Sequence, residues 1–169
     1  CKLKISKKMK IGNLQKCKDI LHRLQSIDGS DQNEIRIDTA WCDLKLGNIE
    51  QAYTQLSDSV LTKSSHHYRM ARVLWMINKD YRTSKNRCYQ HIIKSLKLDP
   101  RNSKSLCILG EYLEGVGDTA RAEISYRKAI DIGNLGRSSH FRAVSSIKCA
   151  KLLSDYLSTY RRDLPALKL

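Results

Sequence analysis

Apolar residues along this 169-residue chain recur at spacings of three and four rather than two. In the segment 103–133, leucines at this spacing are followed by a Gly117-Asp118 turn and then by a second run with the same period. Spacings of three and four are typical of amphipathic helices, and no alternation of period two extends beyond a few residues. The pattern therefore predicts antiparallel helix pairs and an all-α fold.

The same segment places small residues where two helices would meet. Gly110 lies in the first predicted helix, and Ala122 and Ala129 lie in the second. Small side chains let two helices approach closely, while Leu106 and Tyr126 are bulky enough to fill the space beside them. We also expect the carboxylate of the turn aspartate to cap the second helix, because aspartate is a preferred N-cap residue.

Two preceding segments repeat this order less cleanly. Segment 65–102 carries Tyr68, Ala71 and Trp75 in its first helix and ends near Pro100. It is longer than the usual repeat, and its extra residues, 78–85, fall between the two helices. Segment 33–64 is a divergent helical hairpin whose turn and second helix match the later units at Gly47, Asn48, Ala52 and Leu56. We therefore expect three consecutive hairpins.

Flanking segments complete the predicted organisation. Residues 1–32 form an N-terminal helix and basic segment, whose apolar face comprises Leu14, Cys17, Leu21, Leu24 and Ile27. Residues 103–134 are the clearest hairpin, and 135–169 form a C-terminal helix or a partial repeat. A start at Cys1 rather than Met suggests a fragment of a longer protein.

The order of aromatic, small and turn residues resembles the tetratricopeptide-repeat (TPR) family. The matching structural positions are Tyr68, Ala71, Trp75, Pro100, Leu106, Leu109, Gly110, Leu113, Gly117, Ala122, Tyr126 and Ala129. The proline that ends the family pattern is absent from the last hairpin, where Gly133-Asn134 stands instead. The resemblance implies a solenoid of helical hairpins, wound as a right-handed superhelix, that binds other proteins.

By the family's register, the first helix of each hairpin lines a groove for partner segments. The candidate groove residues are Ile37, Trp41, Leu44, Lys45, Arg69, Val73, Met76, Ile77, Lys104, Cys107, Glu111 and Glu114. An anchor pocket for an apolar partner segment is one interpretation of Trp41, Met76 and Ile77, and a core between stacked helices is the other. The paired Lys and Asn of the family's carboxylate clamp are missing, which disfavours the binding of chaperone tails.

Residues 66–132 resemble, more narrowly, the large TPR scaffolds of the superkiller (Ski) complex. The matching stretches are 68–71, 81–82, 95–100, 109–112 and 121–129. This resemblance implies a non-catalytic scaffold that holds an RNA helicase and a WD-repeat protein and supports 3′-to-5′ RNA decay by the cytoplasmic exosome. The resemblance implies a cytoplasmic location, with the nucleus as an additional one.

The formal net charge of +14 adds a second hypothesis. Such a charge favours nucleic acid or acidic protein surfaces as partners. The basic residues are spread along the chain, and their only dense cluster is Lys2, Lys4, Lys7, Lys8 and Lys10. A basic helical-repeat RNA-binding module is therefore the alternative function, and weak or indirect RNA contact is compatible with the scaffold.

Motifs for catalysis or cofactor binding are missing from the sequence. The six cysteines contain no CxxC pair, and neither a phosphate-binding glycine loop nor an HExxH motif occurs. His66 and His67 are adjacent, so on a helix they would point about 100° apart and suit a shared metal poorly. Glu111 and Glu114 share a face without any accompanying motif. We expect no catalytic residue, metal, cofactor or membrane span.

Overall fold

The computed structural model describes residues 2–27, 29–77, 87–134, 144–152 and 154–155, and in these ranges helices joined by short turns and loops make up the fold. Its helices are α1 (Lys2–Gln25), α2 (Gln32–Leu46), α3 (Ile49–Ser57), α4 (Ser64–Ile77), α5 (Arg87–Leu98), α6 (Ser103–Gly115) and α7 (Thr119–Asn134). A further helical stretch covers 144–152. No strand occurs in these ranges, and the predicted all-α fold is confirmed.

Two compact units divide the chain, Cys1–His91 and Ile92–Leu169. In the first unit, α2 and α3 form a tight hairpin. Asp31 begins α2 by accepting hydrogen bonds from the backbone N–H groups of Asn33 and Glu34, at 3.1 and 3.0 Å. Gly47 ends the helix with a φ of 97°, a left-handed conformation that glycine adopts without strain. The predicted turn at this position is confirmed.

Helix α4 contacts both α2 and α3. Polar groups hold its first turn and the loop that precedes it in place. The Asn33 side chain exchanges two hydrogen bonds with the backbone of Val60, at 2.8 and 2.9 Å. The buried His66 ring accepts from the N–H of Thr62 and of Lys63 through Nδ1, while its Nε2 lies 3.0 Å from a Glu34 oxygen. These bonds hold the start of α4 against the start of α2.

The first residues of α5 also lie in this unit. The Cys88 thiol donates a hydrogen bond to the carbonyl oxygen of Ala71 at 3.4 Å, and His91 Nδ1 lies 3.0 Å from His67 Nδ1. The two histidines and the Cys88–Ala71 pair are successive contacts between α4 and α5. The predicted extra loop at 78–85 lies outside the described residues.

In the second unit, α6 and α7 form the hairpin predicted most clearly from sequence. Gly110 faces the ring of Tyr126, which is completely buried. Ala122 and Ala129 are also completely buried. Asp118 caps α7 by accepting a hydrogen bond from the N–H of Arg121 at 3.1 Å, as predicted. Small residues therefore bring the two helices close enough for one aromatic ring to fill the contact.

The stretch 144–152 packs against this hairpin, with Val144, Cys149 and Leu152 in its apolar cluster. Polar contacts accompany the packing, because Glu114 accepts a hydrogen bond from the Tyr126 hydroxyl at 2.9 Å and pairs with Lys148 at 3.3 Å. Burial, followed by the bond to Glu114, raises the pKa of Tyr126. Of the predicted C-terminal element, residues 135–143, 153 and 156–169 lie outside the described residues.

Helix α1 packs on α2 through a narrower face than the sequence predicts. Leu14 and Leu21 are partly buried, but Cys17, Leu24 and Ile27 of the predicted apolar face are exposed. The difference has a physical reason. A polar contact anchors α1, since Lys18 Nζ lies 2.6 Å from the completely buried carboxylate of Asp43 and leaves the other apolar positions turned away from α2.

Replacing Gly110 by alanine is expected to destabilise the protein by about 1–3 kcal/mol, because a Cβ there would lie 2.6 Å from Cδ1 and 2.7 Å from Cζ of Tyr126. Urea denaturation followed by circular dichroism measures the change. Gly12→Ala is the matched control, since nothing lies within 4 Å of a Cβ at that helical glycine. That control should gain about 0.5–1 kcal/mol. Equal effects at both glycines would contradict the close-packing argument.

Asp43→Asn is expected to destabilise the protein by about 1–3 kcal/mol at neutral pH. Burial raises the pKa of Asp43, but hydrogen bonds from Lys18, Asn48 and Gln55 outweigh it, so the pKa lies below its ordinary value. A depressed folded-state pKa stabilises the protein above the unfolded value of about 4, and this contribution is lost as pH falls through the folded pKa.

Urea titrations at about pH 7 and pH 3 test this expectation, because the difference between wild type and Asp43→Asn should shrink at the lower pH. Asp19→Asn is the control, since Asp19 is exposed and its carboxylate accepts a hydrogen bond from Gln15, one turn away on the same helix. A gap that stays constant between the two pH values would contradict the assigned role of Asp43.

Candidate functional site

The first helices of two neighbouring hairpins, α2 and α4, contact each other and share an open surface. Solvent reaches residues on α2 at spacings of three and four, and it reaches residues on α4 at the same spacings. We call this surface the Trp41 face. Its members are Asp38, Trp41, Lys45, Arg69, Arg72 and Met76.

Trp41 stands at the centre of this face and is half-buried. The Lys45 ammonium lies 4.6 Å from the centroid of its ring, and the Arg69 guanidinium carbon lies 5.7 Å from it. The Tyr68 ring packs against the same indole with centroids 5.8 Å apart and a tilt of 55°. Cations within about 6 Å of an aromatic face are attracted to it. The indole is therefore held in one orientation at the surface.

An ion pair links α2 to α4 beside Trp41. Arg69 Nη1 donates a hydrogen bond to Asp38 Oδ1, and both side chains remain partly accessible to solvent. Lys45 and Arg72 bring the number of cations to three against this one carboxylate. The face therefore combines an aromatic anchor with a positive border, which suits an apolar side chain flanked by acidic groups.

Several predicted groove residues lie beneath this face. Ile37 and Val73 are completely buried, and Leu44 is nearly so. Met76 is 36% exposed and Ile77 is partly exposed. The structure thus brings the predicted residues of α2 and α4 together, with the branched aliphatic ones supporting the surface and Trp41, Arg69 and Met76 forming it.

The candidates on α6 belong to the second unit. Lys104 is exposed and Glu111 is partly buried, so both remain accessible. Cys107 is buried in the apolar cluster with Tyr126. Glu114 bonds to Tyr126 and Lys148, as described above, which gives it a structural role.

Sequence reasoning did not single out Asp38, although it orients Arg69. Its signal was available, because Asp38, Trp41 and Lys45 follow the three-and-four spacing that places residues on one side of a helix. Which cation on α4 the carboxylate would meet depended on how α4 packs against α2. That packing is not encoded in the local spacing.

Groups capable of other chemistry are committed to structural contacts. Burial raises the pKa of the Cys88 thiol to about 12 and also raises that of Cys42, so neither forms a thiolate nucleophile readily. His66 and His67 face different partners, Glu34 and His91. In the parts of the chain that the structure describes, no three His, Cys, Asp or Glu side chains are grouped to hold a metal ion. No helix among these residues has the length and apolar character needed to span a membrane.

Iodide is expected to quench the fluorescence of Trp41 more strongly than a neutral quencher does, because Lys45 and Arg69 concentrate anions beside the ring. A Trp75→Phe background leaves Trp41 as the sole tryptophan of the chain. Lys45→Gln should lower the ratio of iodide to acrylamide quenching constants by about twofold. A ratio unchanged by Lys45→Gln would show that the ammonium does not stand over the ring.

Comparison with known proteins relates this fold to named relatives. No family model matches the chain. It is 28% identical over 96 residues to Superkiller complex protein 3 of Homo sapiens, an alignment that covers 56% of this chain and 6% of that protein. It is 32% identical over 68 residues to Tetratricopeptide repeat protein 37 of Xenopus laevis, covering 40% of this chain and 4% of the relative. The chain thus spans a small fraction of the length of both relatives.

A crystal structure of MamA aligns with 92% of this chain and 95% of its own, with a TM-score of 0.57. At 16% identity this likeness shows the fold alone. The sequence relatives carry the family resemblance, and the hairpins α2–α3 and α6–α7 have the helix–turn–helix form that TPR units adopt. The chain resembles the tetratricopeptide-repeat proteins in sequence and shares their all-helical hairpin fold.

Proposed function

We propose that this chain is a non-catalytic segment of a protein–protein interaction scaffold and that it docks a partner segment on the Trp41 face. The observation that carries the proposal is an accessible indole with two cations over its ring, Lys45 at 4.6 Å and Arg69 at 5.7 Å from the ring centroid. Trp and Arg are the residues that most often dominate binding energy at protein interfaces. Lys45, Arg69 and Tyr68 already orient the Trp41 side chain. Binding of a partner would therefore cost this chain little side-chain entropy.

A Ski-type scaffold is the specific form of this proposal. The support is the match to a relative named Superkiller complex protein 3 and the block 66–132 that resembles such scaffolds. By that resemblance the partners are an RNA helicase and a WD-repeat protein, and the role is support of 3′-to-5′ RNA decay by the exosome in the cytoplasm. Because the match covers 6% of that relative, the segment would supply one docking surface among several.

Direct RNA binding is the second candidate function. Two observations favour it, the net charge of +14 and the combination of an aromatic ring with cations on the Trp41 face. Single-stranded RNA is bound by stacking of bases on aromatic side chains within a positive surface. Such binding would weaken steeply as salt is raised, whereas docking of an apolar protein segment would not.

Affinity capture from cytoplasmic extract, with and without RNase, tests the scaffold proposal. The tagged 169-residue chain should recover an RNA helicase and a WD-repeat protein in both conditions. Trp41→Ala combined with Arg69→Glu should reduce that recovery by about tenfold or more, because loss of a hot-spot residue costs about 2 kcal/mol or more. Quantitative mass spectrometry of the captured proteins measures the change.

Ile124→Ala is the matched control, since Ile124 is 53% exposed on α7 and lies in the other unit. It should leave recovery unchanged. Partners that disappear with RNase would replace the scaffold proposal with direct RNA binding. Recovery that survives both RNase and the double substitution would remove the Trp41 face from the proposal.

A further inference from the structure

Helix α1 carries an apolar stripe that no described part of the chain covers. Ile20, Leu24 and Ile27 follow one another at spacings of four and three and are 57%, 38% and 54% exposed. Cys17, also exposed, extends the stripe by one turn towards the N-terminus. Ile27 lies in the bend just after the end of α1 at Gln25. We call Cys17, Ile20, Leu24 and Ile27 the α1 stripe. Isolated apolar residues on a surface are common, whereas a row of them along one helix is typical of an interaction site.

The α1 stripe is separate from the face by which α1 is held in the fold. Leu14, Lys18 and Leu21 point towards α2, with Lys18 bonded to the buried Asp43 carboxylate. At 100° per residue, Ile20 lies about 160° around the helix from Lys18. Anchoring of α1 therefore leaves the stripe available.

The charge of α1 indicates what the stripe would bind. The helix contains eight Lys and Arg residues and one acidic residue, Asp19. Lys16 and Arg23 are exposed and, at spacings of four and three from Ile20, run along one edge of the stripe. Asp19 accepts a hydrogen bond from Gln15, its neighbour one turn away. An occupant would therefore meet apolar side chains bordered by positive charge.

We propose that the α1 stripe docks an acidic amphipathic helix of a partner protein. The apolar side of such a helix would cover Ile20, Leu24 and Ile27, and its carboxylates would face Lys16 and Arg23. From Cys17 to Leu24 the stripe runs about 10 Å along α1, which is about two helical turns and suits a short helix. Lys16 and Arg23 add selectivity for acidic over basic helices.

Charge disfavours a second copy of the chain as the occupant, because two α1 helices would bring like charges together. RNA would satisfy the cations but leave the apolar side chains in water. The α1 stripe lies on a different helix from the Trp41 face. The proposals for the two surfaces can therefore be tested independently.

A designed peptide tests the proposal on the full 169-residue chain. The probe is a labelled synthetic helix of about four turns, with leucine along one side and glutamate elsewhere. Fluorescence anisotropy should show saturable binding that weakens at least tenfold in Ile20→Asp/Leu24→Asp and in Lys16→Glu/Arg23→Glu. Ile124→Asp, which alters an equally exposed isoleucine on α7, should bind like wild type. Trp41→Ala/Arg69→Glu should also bind like wild type.

Cys17 locates the bound peptide. A solvent-sensitive fluorophore on Cys17 in a Cys1→Ser background should shift to shorter wavelength on peptide binding. The other cysteines that the structure describes, Cys42, Cys88, Cys107 and Cys149, are buried and should react slowly. Circular dichroism of the proteins without the fluorophore should give the same melting temperature for the stripe variants and wild type, because every changed side chain is exposed.

Four outcomes would overturn the proposal. The first is absence of saturable peptide binding, and the second is binding that the stripe variants do not weaken. The third is equal binding of a control peptide in which every glutamate is lysine. The fourth is that Ile20→Asp/Leu24→Asp abolishes self-association in sedimentation, or binding to phosphatidylserine vesicles, while peptide binding is unaffected. That result would assign the stripe to a second copy or to a membrane surface.

Discussion

The close approach of paired helices is the constraint on which the rest of this structure depends. In the second unit that approach is made by Gly110, against which the Tyr126 ring packs so closely that it leaves no room for a Cβ. The buried alanines on α7 do the same at the adjacent turns. A helix that packs this closely buries one side fully and presents its other side to solvent or to a neighbouring hairpin. The surfaces available for binding follow from that division.

Polar contacts then decide how neighbouring elements are oriented in the first unit. Asp43 is buried, yet Lys18, Asn48 and Gln55 bond to it, so α1, α2 and α3 meet at one carboxylate. His66 joins the start of α4 to Glu34 of α2 in a similar way. Buried polar groups need their partners in specific directions, whereas apolar packing tolerates small rotations. These bonds therefore select one arrangement among the several that apolar packing alone permits.

Both candidate binding surfaces lie on the sides of helices that these contacts leave open. On α2 and α4 the open sides meet and bring Trp41 beside Arg69, and on α1 the open side remains a single stripe. The two differ in chemistry. The Trp41 face offers one aromatic ring with cations directly over it, which suits a compact anchor, and the α1 stripe offers a row of aliphatic side chains, which suits an extended helical partner.

The sequence by itself determined the helical period, the turns at Gly47 and Gly117, the small residues Gly110, Ala122 and Ala129 that let two helices approach closely, and the resemblance to TPR proteins. These features are local, because they depend on residues within one hairpin. Only the tertiary structure decided that Ile37, Leu44 and Val73 are core while Trp41 is surface, and that Leu24 and Ile27 are exposed. The period shows which residues share a side of a helix. Whether a neighbouring helix covers that side depends on contacts between residues distant in the chain, such as Lys18 with Asp43 and Arg69 with Asp38.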